Sequence, residues 1–178
     1  HFMQDFKGKK IGVTSRGSGT EIWMAWMLQK AGIKPEDVSF VAVGGPATAY
    51  GALVSKQVDA LMMFNPMGAM CEVLKTCKVI YRAATDPQPA EMFALNGGGN
   101  GLFFMQDYID KNPQVIEAVI RAMKEAEAFI NNPANFEEVV AIATSYFKFA
   151  MPEGDAVMRA NLKQFIADRT YSAAIDRK

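Results

Sequence analysis

Short apolar runs alternate with segments of helical spacing along the first half of the chain. Three runs have the length and composition of buried strands, at residues 10–14, 38–43 and 60–64. Each is followed by a turn and then by a predicted helix, at residues 21–31, 46–56 and 66–74. This alternation predicts an α/β fold in which a mostly parallel sheet has helices on both faces.

Capping residues and apolar spacing define these predicted helices further. Asn65 suits the N-cap and Pro66 the first position of the third helix, whereas Gly32 ends the first one. The first helix has an apolar stripe that we interpret as core rather than as an aromatic ligand box, at Ile22, Trp23, Trp26, Met27 and Ala31.

The second half of the chain changes character. Residues 78–82 and 102–105 are predicted to be strands, and the glycine-rich hexapeptide at 96–101 is predicted to be a hinge or crossover. Three helices are predicted to open near prolines, at Pro113, Pro133 and Pro152, the first reaching about Ile130. We therefore place an α/β ligand-binding unit at 6–98 and a mainly helical unit at 99–178.

Composition limits the classes of function. Half of the 178 residues are hydrophobic and 21% are charged, which predicts a globular chain. The 19 basic and 19 acidic residues cancel, so there is no electrostatic basis for binding nucleic acid. The longest uncharged run, residues 38–55, contains glycines and a proline and is a poor membrane span.

The residue types give little support for catalysis or metal binding. The only histidine is His1, which we interpret as a tag remnant. The sequence has neither a G-x-S-x-G elbow nor a G-x-x-x-x-G-K-[ST] phosphate loop. We therefore expect no enzyme, no metal site and no cofactor.

Cys71 and Cys77 fit neither a redox motif nor a zinc spacing. A disulfide would suit an oxidising compartment, whereas half-buried free thiols at the ends of a helix are the alternative. We favour the free thiols, and the sequence leaves both states open.

The strongest candidate site is the turn Thr-Ser-Arg-Gly-Ser-Gly-Thr-Glu at residues 14–21. Its small residues let several backbone N–H groups turn toward one point, and the helix that begins near Thr20 adds the positive end of its dipole. We expect Ser18, Gly19 and Thr20 to donate hydrogen bonds to a carboxylate, sulfonate or phosphate. A purely structural role for Gly17 and Gly19, as residues that permit positive φ, stays open.

Two further strand-to-helix turns should reach the same edge of the sheet, where ligands of such folds bind. We expect Gly44, Gly45 and Thr48 to make a second polar contact and Asn65 to offer its amide. For Arg16, a charged clamp on the anion and a solvated loop arginine both stay open. The predicted ligand-binding residues are Ser15, Arg16, Ser18, Gly19, Thr20, Gly44, Gly45, Thr48 and Asn65.

Several motifs occur together in an order typical of one family. They are FKGKKIGV at 6–13, GSGTE at 17–21, LQKAGI at 28–33, PEDV at 35–38, QVDA at 57–60 and YIDKNP at 108–113. In this combination the chain resembles the periplasmic solute-binding proteins of ABC importers. The branch it resembles includes nitrate, sulfonate and taurine receptors and thiamine-pyrimidine-precursor-binding proteins.

The resemblance implies a type 2 periplasmic-binding-protein fold, whose two α/β lobes close on a solute like a clamshell. Residues 6–98 would be the second lobe, and 99–178 the hinge return and C-terminal helices of an incomplete first lobe. The implied ligand is a carboxylate, sulfonate, nitrate or pyrimidine-like solute, delivered to a membrane permease from the periplasm. No signal peptide opens the sequence. We also expect oligomerisation or domain swapping, because the incomplete lobe would expose apolar surface.

Two related interpretations stay open. The same fold serves as the effector-binding domain of LysR-type transcription regulators, where the ligand alters DNA binding elsewhere in the chain. The TAXI-type receptors of tripartite transporters share a similar Gly-Ser-Gly-Thr-Glu turn and would bind comparable acids with a different membrane partner.

Overall fold

The computed structural model describes residues 2–87 and 101–173 of the chain. It divides into two units, His1–Ile80 and Tyr81–Lys178. The predicted boundary at residue 98, and all but the last residue of the predicted hinge at 96–101, lie outside the described residues. The assignment of the two segments to lobes stays a prediction.

The first unit is built around a parallel sheet. Its strands are β1 (Lys10–Val13), β2 (Ser39–Ala42) and β3 (Ala60–Leu61), in the order β2-β1-β3. Each strand is followed by a helix: α1 (Gly19–Lys30), α2 (Pro46–Val54) and α3 (Met67–Leu74). Short 3₁₀ helices cover Phe2–Phe6 and Pro35–Asp37. The predicted α/β class with a parallel sheet is confirmed, although β3 ends three residues earlier than predicted.

The core of the first unit lies between the sheet and α1. Ile11 of β1 and Leu28 of α1 are fully buried, and Met24 packs with them. The predicted core face of α1 was wrong, because Ile22 is 53% exposed. Trp23, Trp26 and Met27 are only half-buried. Apolar residues surround this helix on most sides, so their spacing alone does not identify the face that packs on the sheet.

Two predicted strands are absent from the described residues. Neither residues 78–82 nor residues 102–105 form a ladder with another described segment. At the end of the first segment the Arg82 N–H donates to the Asp86 carboxylate at 2.6 Å, which closes a turn instead. In the second, Phe103 is 88% exposed. An apolar extended segment becomes a strand only through a pairing partner, and composition does not supply one.

A disulfide joins Cys71 in α3 to Cys77 beyond its end. The preference for two free thiols was therefore wrong. The helix ends at Leu74 and Lys75 takes a left-handed conformation, with φ of 56°. This reversal brings the two Cα atoms within 4.7 Å, inside the range that a disulfide spans.

The second unit is helical. It contains α4 (Gln106–Lys111), α5 (Pro113–Asn131), α6 (Phe136–Tyr146) and α7 (Gly154–Ala167), with a 3₁₀ helix at Pro133–Asn135 before α6. The helices predicted to open near the three prolines are confirmed, although the last begins two residues after Pro152. Side chains of α6 and α7 form a small core, at Val139, Val140, Met158 and Leu162.

The α6–α7 pair is also joined by charge at its surface. The Arg159 guanidinium donates two hydrogen bonds to the Glu137 carboxylate, at 2.8 and 2.9 Å, and one to Asp155 at 2.8 Å. These bonds hold the pKa of Glu137 below its usual value. Because the Glu137 and Asp155 carboxylates are largely exposed, we expect the network to add little to the stability of the fold.

Candidate functional site

The candidate site lies at the carboxyl edge of the parallel sheet, where each strand passes into its helix. β1 is central, and its end is tied to both neighbours. The Gly44 N–H after β2 donates to the Thr14 carbonyl at 3.1 Å, and the Met62 N–H after β3 donates to the Gly12 carbonyl at 2.9 Å. The three turns therefore begin side by side at one edge.

The β1–α1 turn is held together by the Thr20 hydroxyl. Its oxygen accepts a hydrogen bond from the Thr14 N–H at 3.0 Å. It also lies 3.1 Å from the Thr14 hydroxyl oxygen and 2.8 Å from that of Ser18. Thr20 thus serves the turn with its side chain, and only its backbone N–H is left for another partner.

The backbone donors of this turn fall into two groups. The Ser18 N–H donates to the Ser15 carbonyl at 3.2 Å, and the Gly17 N–H donates to the Glu21 carboxylate at 2.9 Å. The N–H groups of Gly19, Thr20 and Glu21 donate to no group within residues 2–87 or 101–173. These are the first-turn N–H groups of α1, which a helix cannot satisfy internally. They are the donors that an anion could use.

The backbone conformation favours glycine at position 17 of this turn and does not require it at position 19. Gly17 has a φ of +76°, a conformation that favours glycine, so its structural role is sufficient explanation. Gly19 has no positive φ, and a Cβ placed on it would meet no atom within 4 Å. Neither backbone geometry nor crowding requires glycine at position 19. The exposed backbone there leaves the N–H open to a ligand.

Arg16 is paired with a carboxylate of its own turn. Its Nε donates to Glu21 Oε2 at 2.8 Å, its Nη1 donates to the Phe40 carbonyl at 3.3 Å, and its guanidinium carbon lies 5.9 Å from the centre of the Phe40 ring. The hydrogen bond from Arg16 is the main cause that lowers the pKa of Glu21. The structure thus holds the Arg16 charge against β2 and Glu21. Sequence reasoning missed this role of Glu21. The opposite charges of Arg16 and Glu21, five residues apart in one turn, could have indicated the pair.

The β2–α2 turn is closed by Thr48. The Thr48 hydroxyl lies 2.6 Å from the Val43 carbonyl and 2.9 Å from the Gly45 carbonyl, so its proton serves the turn. Gly44 has a φ of +75°, and a Cβ there would come within 2.7 Å of Thr48 Oγ1. Gly45 occupies the N-cap position and is exposed. All three residues predicted to contact a ligand here are exposed, and Gly45 is the one with neither a positive φ nor a side chain that closes the turn.

The β3–α3 turn contains Asn65, which is half-buried. The prediction that Asn65 caps α3 was wrong, because Pro66 occupies the N-cap position and the helix begins at Met67. The Asn65 carboxamide forms no hydrogen bond within the described part of the chain, so its polar atoms are available to a ligand. The preceding residue, Phe64, is 56% exposed and was not predicted as part of the site.

The polar groups that this edge of the sheet offers to a partner are mainly hydrogen-bond donors. No group of three His, Cys, Asp or Glu side chains among the described residues could hold a metal ion. None of the described helices combines the length and apolarity needed to span a bilayer. Neutral N–H and hydroxyl groups at a helix start suit an anionic ligand.

Comparison with known proteins identifies the family of this chain. A family model described as NMT1/THI5 like matches residues 2–136, which is more than half of the chain. The chain belongs to this NMT1/THI5-like family, and the predicted resemblance is confirmed.

Curated relatives are named as binding proteins. A binding protein of Brucella abortus strain 2308 is 31% identical over 146 residues, which cover 82% of this chain and 43% of the relative. The nitrate/nitrite binding protein NrtA of Nostoc sp. strain PCC 7120 is 28% identical over 162 residues, which cover 88% of this chain and 34% of NrtA. The chain therefore spans less than half the length of these relatives.

Two solved structures share the fold. A protein of Bordetella bronchiseptica RB50 superposes with a TM-score of 0.64 at 29% identity, covering 98% of this chain and 53% of that one. The alkanesulfonate-binding protein SsuA of Xanthomonas axonopodis pv. citri, bound to MOPS, gives a TM-score of 0.62 at 17% identity, over 97% of this chain and 62% of SsuA. At that identity SsuA shows the fold alone.

Proposed function

We propose that this protein is the solute-binding component of an ABC-type importer. It captures a small anionic or polar organic solute at the carboxyl edge of the β1–β3 sheet. The observation that carries the proposal is the group of unpaired N–H donors at Gly19, Thr20 and Glu21, in a chain whose relatives from Brucella and Nostoc are named binding proteins. Binding and closure of two lobes, rather than chemistry, would be its mechanism.

The proposal assigns a role to each part of the edge. The N–H groups of Gly19 and Thr20 bind the anionic group, with Ser15 and Ser18 beside them. Gly45 and Asn65 offer further polar contacts from the neighbouring turns. Gly44 and Thr48 fix the shape of their turn, and Arg16 is held by Glu21. In this proposal residues 6–98 form the second lobe of the clamshell.

Calorimetric titration of the 178-residue chain with nitrate, methanesulfonate, acetate and a pyrimidine tests the proposal. Wild type should bind at least one class of solute. Gly19→Asp should abolish that binding, because it places a negative charge at the donors, where like charges repel by several kcal/mol at an effective dielectric of about 20. The matched control is Gly19→Asn, which has the same shape and no charge. Binding that survives Gly19→Asp would overturn this site.

We further propose an extracytoplasmic location and delivery of the solute to a membrane permease. The disulfide between Cys71 and Cys77 supports an oxidising compartment, since such bonds are rare in the cytosol of most organisms. Mass spectrometry of the protein from its native cells, alkylated without reduction, would show the bond. Two alkylated thiols in that sample would contradict the proposed location.

We also propose that the chain associates with a second copy through its second unit. No residue of the 19-residue α5 is buried, although its apolar residues follow one stripe. Large apolar side chains are exposed along α5 and the segment before it, at Leu102, Phe103, Met105, Ile120 and Met123. Exposed apolar surface is typical of interaction sites, and the zero formal net charge of the chain does not oppose association.

Sedimentation velocity across a range of protein concentrations tests this association. Wild type should form dimers, and Phe103→Ser should shift it toward monomer. Tyr146→Ser, which changes a similarly exposed aromatic residue of α6, serves as the control. A wild-type chain that stays monomeric at every concentration would contradict the proposal.

A further inference from the structure

Phe64 stands out in the β3–α3 turn as a large apolar side chain exposed at the proposed binding edge. Its ring is 56% exposed. Met67, three residues later, is buried and anchors the start of α3. The turn therefore holds Phe64 at the surface while its helix packs inward.

The strand order places the β3–α3 turn, which contains Phe64, next to the β1–α1 turn. Ile11 pairs with Ala60 and Gly12 with Leu61, and the Met62 N–H continues the ladder to the Gly12 carbonyl. Phe64 follows β3 by three residues, at the same edge of the sheet where the β1–α1 turn begins.

The charge of the edge also restricts the ligand. Across residues 14–21, 43–48 and 62–67, the charged side chains are Arg16 and Glu21. They are paired with each other at 2.8 Å, so these turns carry no net charge. Neutral N–H donors and a helix dipole, equivalent to about half a unit charge, compensate one negative charge better than two.

Resting on the proposed function, we propose that Phe64 determines ligand specificity at this edge. Its ring contacts the apolar body of an organic anion that carries a single negative charge, while the Gly19 and Thr20 N–H groups bind the charged head. Each buried CH₂ group contributes about 0.8 kcal/mol, which corresponds to roughly fourfold in affinity. The site therefore selects organic monoanions over inorganic ions of the same charge, which have no apolar body to bury.

Titration calorimetry with nitrate, methanesulfonate, butanesulfonate and benzenesulfonate tests this inference on the 178-residue chain. Affinity should rise along the series by at least tenfold between methanesulfonate and benzenesulfonate. Phe64→Ala should remove most of that gain and change methanesulfonate binding less than twofold. Phe64→Leu should retain part of the gain, because it keeps apolar area.

The matched control is Val54→Ala, which shortens another exposed apolar side chain at the far end of α2. It should leave the whole series unchanged, and thermal melting should show that each variant is folded. Equal affinity for nitrate and benzenesulfonate, or an equal loss for all four ions in Phe64→Ala, would overturn the inference and leave the proposed function standing. Failure of every anion to bind would overturn both.

Discussion

The two glycine-rich turns of the first unit are similar in sequence and differ in how they use their polar groups. In the β1–α1 turn, Gly19 has no positive φ and open space around it. In the β2–α2 turn, Gly44 has a φ of +75° and faces Thr48 too closely for any Cβ. Moreover, α2 begins with Pro46, which has no N–H, whereas α1 begins with the free N–H of Gly19. Geometry therefore requires glycine at position 44, whereas at position 19 it does not, and the open backbone there suits the proposed contact with an anion.

The largest expected effect is a loss of anion binding, measured when an aspartate is introduced into the β1–α1 turn or into the β2–α2 turn. Gly19→Asp should weaken anion binding by more than 100-fold, because the carboxylate lies at the donors themselves. Gly45→Asp should weaken it less than tenfold, because Pro46 contributes no N–H at the first position of α2. A Cβ meets no atom within 4 Å at either glycine, so both variants should fold. Calorimetry measures the two losses, and equal losses would show that both turns bind the anion.

The next largest effect is a loss of stability, which we expect from a substitution in the β2–α2 turn. Gly44→Ala should lower the free energy of unfolding by about 2 kcal/mol, because alanine is strained at positive φ and its Cβ would meet Thr48. Gly45→Ala, at a φ of −77°, should cost less than about 0.5 kcal/mol. Urea unfolding of the two variants checks the difference. A Gly44→Ala variant as stable as Gly45→Ala would mean that the turn relaxes without Thr48.

A smaller effect separates the two threonines that hold the turns. Thr20→Val removes the acceptor of the Thr14 N–H and leaves a partly buried donor unpaired, which should cost about 1 to 2 kcal/mol. Thr48→Val removes a donor from two exposed carbonyls, which water can replace, and should cost less than about 1 kcal/mol. Thermal denaturation of both variants measures the two costs. The reverse order would contradict the assigned roles.

These differences mark the limit of what the sequence predicts. Three of the five predicted strands, the parallel sheet and the start of α1 near Thr20 follow from local patterns, and the structure confirms them. The distinction between Gly19 and Gly44 depends on φ and on the position of the Thr48 side chain, which only the folded turn defines. The residues 102–105 have the composition of a strand and lack a described partner, so pairing was the missing information.

The roles of Arg16 and Phe64 also depend on the folded structure and could not be predicted from the sequence. Arg16 left two interpretations open, and the structure adds a third, an ion pair with Glu21 across the turn. Arg16 lies before the first residue of α1, so the helical spacing rule that finds such pairs does not cover it. The sequence did not predict Phe64 as a site residue, because it ends an apolar run that is typical of a buried strand. In the structure β3 ends at Leu61, and Phe64 is exposed beyond it.

Charge provides the last and smallest contrast between the two turns, because only the β1–α1 turn contains charged residues. The hydrogen bond from Arg16 lowers the pKa of Glu21 in the folded state. A lowered folded pKa stabilises the fold at pH values above the unfolded value of about 4.3, and this contribution is lost as the pH falls through the folded pKa. Glu21→Gln should therefore lower stability at pH 7 by less than about 1 kcal/mol, since the pair is near the surface.

The pH dependence of this difference distinguishes a charge effect from a packing effect. The gap between wild type and Glu21→Gln should shrink as the pH falls below about 4, because protonated Glu21 and glutamine are then alike in charge. Glu117→Gln, at an exposed position of α5, should match wild type throughout. Urea unfolding from pH 3 to pH 7 measures both gaps. A Glu21→Gln gap that is constant with pH would assign the loss to packing and show that the ion pair does not stabilise the β1–α1 turn.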